Sequence, residues 1–184
     1  MSKLIKSLNG IKLMKLELHS DSRGNFYEIY NKKKFYKFGI KDEFVQDNIS
    51  ISKKNVLRGM HYTINNPQSQ LLTVLEGKIF DCLVDLRKSS KSFGKFFSFI
   101  LESKKKNQIY MPPGIAHGFC VLSNKAILHY NTSMIYKPND EGGLIWNDKH
   151  LNINWPIKKP IISKKDKKFY SFKEIINLNK LPKL

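Results

Sequence analysis

Few side chains in this sequence can do chemistry, and their spacing narrows what that chemistry is. Five histidines stand at positions 19, 61, 117, 129 and 150. No two are separated by a single residue, so none offers the His-x-His pair that aims two ring nitrogens from one face of a strand at a metal. They form no metal-ligand spacing set, and no metal is expected. His117 ends the stretch Pro112-x-Gly114-x-x-His117 within YMPPGIAHGF, where proline and glycine shape a tight turn that delivers the imidazole. His129 precedes Tyr130, so in a strand the two side chains face opposite ways. His19 and His150 read as surface or structural residues. Cys82 and Cys120 lie in the apolar runs FDCLVDL and HGFCVLS, which marks them as small buried hydrophobes rather than a redox pair.

The elements that must position these groups read as strands. In LLTVLEGKIFDCLVDLR two runs join at Glu76-Gly77, and Phe80, Cys82, Val84 and Leu86 alternate with Asp81 and Asp85, a period of two. A second pair, GFCVLSNKAILHYNTSMIY, turns at Ser123-Asn124-Lys125. EFVQDNISIS, FGKFFSFIL and NQIYMPP are further short runs, and turn signals recur about every ten residues, as in a β-sandwich or barrel. Helix is expected only near 31 to 37 and in FYSFKEIINL, where Phe172, Ile175 and Ile176 would make one apolar stripe. With 184 residues and no internal repeat, a single domain covering 1–184 is expected.

Charge is the loudest feature of the composition. The formal net charge is +18, from 33 basic and 15 acidic residues, and such a balance suggests a polyanion partner. Only three of the basic residues, Arg23, Arg58 and Arg87, are arginine, although arginine is the preferred fork for phosphate and guanine. The lysines are scattered, so no nucleic-acid partner is expected. A hydrophobic content of 41 % with 12 % aromatics is too high for a disordered polycation. No run approaches the roughly 18 apolar residues of a membrane span. The opening residues lack the apolar stretch of a secretory signal, so a cytoplasmic setting is expected.

The Pro-x-Gly-x-x-His turn resembles the second signature of the cupin barrel, and without His-x-His the barrel would be a metal-free one. Further segments arrive in the order found in the dTDP-4-dehydrorhamnose 3,5-epimerase family: DSRGNFYE at 21 to 28, FVQDNISIS at 44 to 52, VLRGMHY at 56 to 62, VDLRKSSKSFGK at 84 to 95, PPGIAHGF, then YNTSMIYKPNDEGGLIWNDKHLNINWP and ISKKD. The resemblance spans about residues 20 to 170. It implies an all-β cupin double-stranded β-helix, or jelly roll, with short C-terminal helices.

It also implies a cofactor-independent isomerase that inverts C-3, C-5 or both in a nucleoside-diphosphate 4-keto-6-deoxy sugar. The C-4 carbonyl acidifies those protons, so such an enzyme needs a base on one face, a donor for the enolate oxygen and an acid on the other face. His61 matches the family's base, Asp166 the carboxylate that orients it, and Tyr130 the acid. Arg23, Arg58 and Lys165 match diphosphate contacts, and Phe26 and Tyr136 the aromatics around the base. Glu28, Gln46, Asn48 and Glu141 match further substrate contacts, and Gln70 with His117 would polarise O-4. The RGxFxE strand of the family reaches into a neighbouring subunit, which implies a homodimer with shared sites. Arg87 is left a structural pairing with Asp85 or Asp81.

The sequence departs from the family in one place that bears on rate. Gln70 stands where relatives carry a lysine that meets the C-4 oxygen, the loop before it is one residue shorter, and Thr63 replaces the glutamine of HYQ. A neutral amide forms weaker bonds than a charged donor. Other nucleotides and longer sugars (a GDP-linked 4-keto-heptose), a cupin sugar 3,4-ketoisomerase and an inactive sugar-nucleotide-binding cupin remain alternatives.

Overall fold

The structure is a computed structural model and describes residues 2–184. Among the described residues there are thirteen strands: β1 (Lys3–Leu8), β2 (Ile11–Lys15), β3 (His19–Asp21), β4 (Gly24–Phe26), β5 (Gln46–Lys53), β6 (Leu57–Thr63), β7 (Gln70–Glu76), β8 (Lys78–Asp85), β9 (Phe96–Glu102), β10 (Asn107–Met111), β11 (Ile115–Val121), β12 (Lys125–Thr132) and β13 (Glu141–Gly143). Two short helices, α1 (Lys32–Lys37) and α2 (Phe172–Asn177), complete the regular structure together with brief 3₁₀ turns.

The strands form a six-stranded sheet in the order β1-β2-β10-β7-β12-β5, a five-stranded sheet in the order β13-β6-β11-β8-β9, and the separate hairpin β3-β4. From β5 to β13 the chain crosses between the two large sheets at every connection except the β8-β9 hairpin, as in a jelly roll. The runs on either side of Gly77 therefore do not pair with each other, and neither do those flanking 123–125. Each turn carries the chain across to the other sheet, and Ser123 Oγ, accepting from Lys78 N at 2.9 Å, ties the two crossings together.

Alternation along the strands sorts residues into a core, two outer layers and a cavity. Ile79 and Leu83 of β8 meet Ile109, Val121 and Leu128 between the sheets. On the far side of the five-stranded sheet, Met60, Val84 and Leu144 pack under Phe172 and Ile175 of α2. Burying each such side chain contributes roughly 1.5–3 kcal/mol. Ser171 and Glu174 form a capping box at the start of α2, which satisfies backbone N–H groups a short helix would leave bare. Ile176 does not join the expected stripe and is 37 % exposed, because it lies about 100° around the helix from Ile175. Helix α1 lays Phe35 against Met14, Leu71 and Tyr110 on the outer face of the six-stranded sheet. Both cysteines are buried free thiols.

The apolar filling stops short of one end of the barrel. There the inward positions of β5 are Gln46, Asn48 and Ser50, and those of β12 are Tyr130 and Thr132, all lining a cavity of about 390 Å³. That volume falls in the ordinary range for small-molecule sites.

Candidate active site

His61 enters this cavity from β6, and its position depends on a glycine two residues earlier. Gly59 adopts φ +117°, and a Cβ there would stand 2.5 Å from Gly118 Cα. The close approach of β6 and β11 that this permits sets His61 directly opposite His117 across the strand pair. Gly59 also donates its backbone N–H to Asp166 Oδ2 at 3.1 Å, while Asp166 Oδ1 lies 3.1 Å from His61 Nε2. Ser163 Oγ accepts from the Asp166 backbone at 3.0 Å and fixes the turn that carries the carboxylate. Phe169 sets its ring edge-on to the imidazole, 5.3 Å between centroids, and Gly143 leaves room for it, since a Cβ would fall 2.1 Å from that ring.

Electrostatics hold Asp166 as an anion. Burial pushes its carboxyl up, but the bond and charge of His61 with the Gly59 and Ser163 donors outweigh this and leave it below the usual carboxylate range. A buried carboxylate at Nε2 keeps a proton on that nitrogen and frees Nδ1 to act as a base.

Tyr130 lines the cavity from β12, in the other sheet. Burial raises its phenol; Arg58 opposes the rise and Glu141 adds to it. The hydroxyl is therefore protonated at neutral pH and available to donate. Glu141 organises the rim: its Oε2 accepts from Tyr136 Oη at 2.7 Å and from Lys165 Nζ at 2.7 Å, and its Oε1 lies 3.7 Å from His61 Nε2. Burial pushes Glu141 up, and the Lys165 and Tyr136 bonds bring it below its ordinary value. Gln46 accepts from the Tyr136 backbone at 2.8 Å and donates to Asn48 at 2.8 Å. Arg58 donates from Nε to Ser52 Oγ at 2.9 Å, and Gln70 completes the wall from the first position of β7.

A model of the dTDP-4-dehydrorhamnose 3,5-epimerase family matches residues 6–174. The chain belongs to that family. It is an isomerase, and its relatives act on nucleotide-linked 4-keto-6-deoxy sugars. The dTDP-4-dehydrorhamnose 3,5-epimerase of Shigella flexneri is 45 % identical over 152 residues, covering 82 % of this chain and 84 % of that one. The solved Bacillus anthracis enzyme, with TDP and pyrophosphate bound, superposes with a TM-score of 0.91 at 38 % identity over 94 % of this chain and all of that one. The Legionella pneumophila enzyme in complex with dTDP-4-keto-L-rhamnose gives 0.94 at 36 % identity, covering 100 % and 99 %. The family fold is the cupin jelly roll, as the strand order above also reads.

Nine of the sequence-predicted residues, His61, Tyr130, Arg58, His117, Gln46, Asn48, Gln70, Tyr136 and Glu141, line the cavity together. Asp166 reaches it through His61, and Lys165 sits at its edge on Glu141. Arg23, Phe26 and Glu28 lie elsewhere, on and just after the β3-β4 hairpin. Arg23 is bound to Asp21 at 2.7 Å with its side chain 88 % exposed, and Phe26 is 72 % exposed. Glu28 pairs with Lys34 at 3.0 Å. Arg87 takes Asp85, at 2.7 Å. Asp81, expected only as a possible partner of Arg87, instead joins the site: it is fully buried and lies 2.6 Å from His117 Nε2. The signal was an acid in an alternating strand, on the face shared with Ile79 and Leu83.

Proposed function

We propose that the protein epimerises C-3 and C-5 of a dTDP-linked 4-keto-6-deoxy sugar in the cytoplasm, as one catalytic domain supplying activated sugars for cell-surface polysaccharide. The observation that carries this reading is the placement of His61 and Tyr130 on opposite walls of one cavity. His61 Nδ1 takes the proton beside the ketone, the electron pair passes to O-4 as an enolate, and the Tyr130 hydroxyl returns a proton to the same carbon from the other face. Imidazolium and phenolate then exchange with solvent, and the step repeats at the second carbon. Arg58 and Lys165 suit the diphosphate, and Tyr136 the base. Gln46, Asn48 and Glu141 suit the sugar and base edges, while Gln70 and His117 suit O-4. No cofactor enters this scheme.

Incubation with dTDP- and GDP-linked 4-keto-6-deoxy sugars in D₂O tests it. Deuterium at C-3 and C-5 of the dTDP substrate supports the proposal, and absence of exchange in both overturns it. The neutral Gln70 favours a second reading, inversion at one carbon or on another nucleotide, which exchange at C-3 alone or only with the GDP sugar would identify.

We also propose a homodimer in which the β3-β4 hairpin completes the partner's site. Two observations support this: Arg23, Phe26 and Glu28 stand away from the cavity of their own chain, and the edge strand β5 with the residue before it exposes Val45, Ile49 and Ile51, at 53 %, 64 % and 63 %. An apolar surface of this kind suits a second copy. Equal mixtures of Arg23→Ala and His61→Ala chains should regain about a quarter of wild-type activity, since mixed dimers hold one intact site. No recovery would refute shared sites.

A further inference from the structure

Any enolate formed in this cavity needs a positive neighbour, and the cavity supplies few. Lys165 is bound to Glu141, and Arg58 is turned to Ser52. Gln70 is neutral. His61 takes up the substrate proton beside the carbon it leaves, so the group left to meet O-4 is His117, whose Nε2 lies 2.6 Å from Asp81 Oδ1. Asp81 is fully buried, and its Oδ2 has no hydrogen-bond partner. A carboxylate so placed is costly unless a charge or proton compensates it.

The ring nitrogens make the consequence specific. A neutral imidazole that donates from Nε2 to Asp81 carries a lone pair on Nδ1 and can only accept there. A ketone or enolate oxygen can use Nδ1 only if that nitrogen also bears hydrogen. We propose that the Asp81–His117 pair holds one proton beyond the carboxylate–imidazole state, so that His117 donates from Nδ1 to the C-4 oxygen as an imidazolium with Asp81 as its counterion. Were the shared proton to sit on Asp81 instead, Nδ1 would still donate, with the same total charge. His117 is then a catalytic residue and Asp81 a positioning residue. The pair supplies the charge assistance that Gln70 lacks, and the proposal rests on the epimerase reading given above.

The charged and titratable groups facing His117 are Asp81 from β8, His61 and Arg58 from β6, Tyr130 from β12 and Glu141 from β13. Of these only Asp81 bonds the ring, so the test acts on that bond. Asp81→Asn is nearly isosteric and removes the counterion. Its kcat should fall by about 10²–10³, the usual effect of losing one oxyanion donor, with KM little changed, and the fall should deepen as pH rises. Gln70→Lys should restore at least tenfold in His117→Gln, and a change that only repairs folding would not. Independently of turnover, ¹⁵N NMR of the wild-type chain at pH 7 should show His117 protonated on both nitrogens, or on Nδ1 with Asp81 carrying the other proton. A ring bare at Nδ1, or an Asp81→Asn enzyme with wild-type kcat across pH, overturns the proposal. If the wild type turns over no 4-keto sugar, the epimerase reading fails instead, and the NMR result stands apart from it.

Discussion

Replacing Asp166 with asparagine is the sharpest probe of the base. The change keeps the size of the side chain but alters what can be donated. At present Oδ2 accepts from Gly59 N and Oδ1 faces His61 Nε2, both at 3.1 Å. In Asp166→Asn the amide oxygen keeps the Gly59 bond, which leaves the NH₂ pointing at Nε2. That nitrogen must then be a bare acceptor, which moves the ring proton to Nδ1, where the base is needed. In a serine-protease triad the same carboxylate-to-amide change costs about 10⁴ in kcat through the wrong tautomer. Here Glu141 Oε1, 3.7 Å from the same nitrogen, offsets part of the loss, so about 10³–10⁴ is expected, equivalent to roughly 4–5.5 kcal/mol of barrier. KM should change little, since Asp166 is buried behind the ring. The assay is solvent-deuterium exchange at the sugar carbons, with circular dichroism as the folding control. A variant that folds and exchanges within tenfold of wild type would refute the assignment of Asp166 as orienter.

Other perturbations separate the remaining parts. Tyr130→Phe should slow net inversion by about 10²–10⁴ while same-face exchange through His61 continues; product NMR beside deuterium uptake reads the two, and equal losses in both would count against the acid role. Gly143→Ala should lower activity and stability together, by about 1–3 kcal/mol in stability, as a Cβ 2.1 Å from Phe169 displaces the ring packed on His61; an unchanged melting temperature would show that Phe169 moves freely. Asp85 is fully buried, and the Arg87, Ser90 and Ser92 bonds overcome burial to bring its carboxyl from 3.8 to about 2. A group with a lowered folded value stabilises above its unfolded pKa, so about 2 kcal/mol is present above pH 4 and lost as pH falls toward 2. Denaturant titrations of wild type and Asp85→Asn should differ by that amount at pH 6 and converge near pH 2.

Much of the site was legible because strand alternation places residues by parity. Tyr130 and His129 part company on β12 as expected, His129 turning outward to Asp47 at 3.2 Å. Strand parity could not say which sheet each strand joins, so the crossings at Gly77 and at 123–125 emerge only in three dimensions. The choice for Arg87 between Asp85 and Asp81 was open for a related reason. Both acids face the same way on β8, and only the neighbouring strand decides that Asp81 meets His117 from β11. The third residue of the α2 stripe failed on geometry that a 3.6-residue period already contains.

The bond between His61 and Asp166 spans 105 positions of chain. During synthesis the barrel strands and most of the cavity lining emerge well before that carboxylate does. A chain ending before 166 would lack the carboxylate that holds the proton on His61 Nε2, and it would also lack Phe172, Ile175 and Leu181, which pack against Met60 and Tyr62 of the strand that carries His61. The imidazole and its carboxylate are thus brought together only after every strand that lines the cavity has been added to the chain.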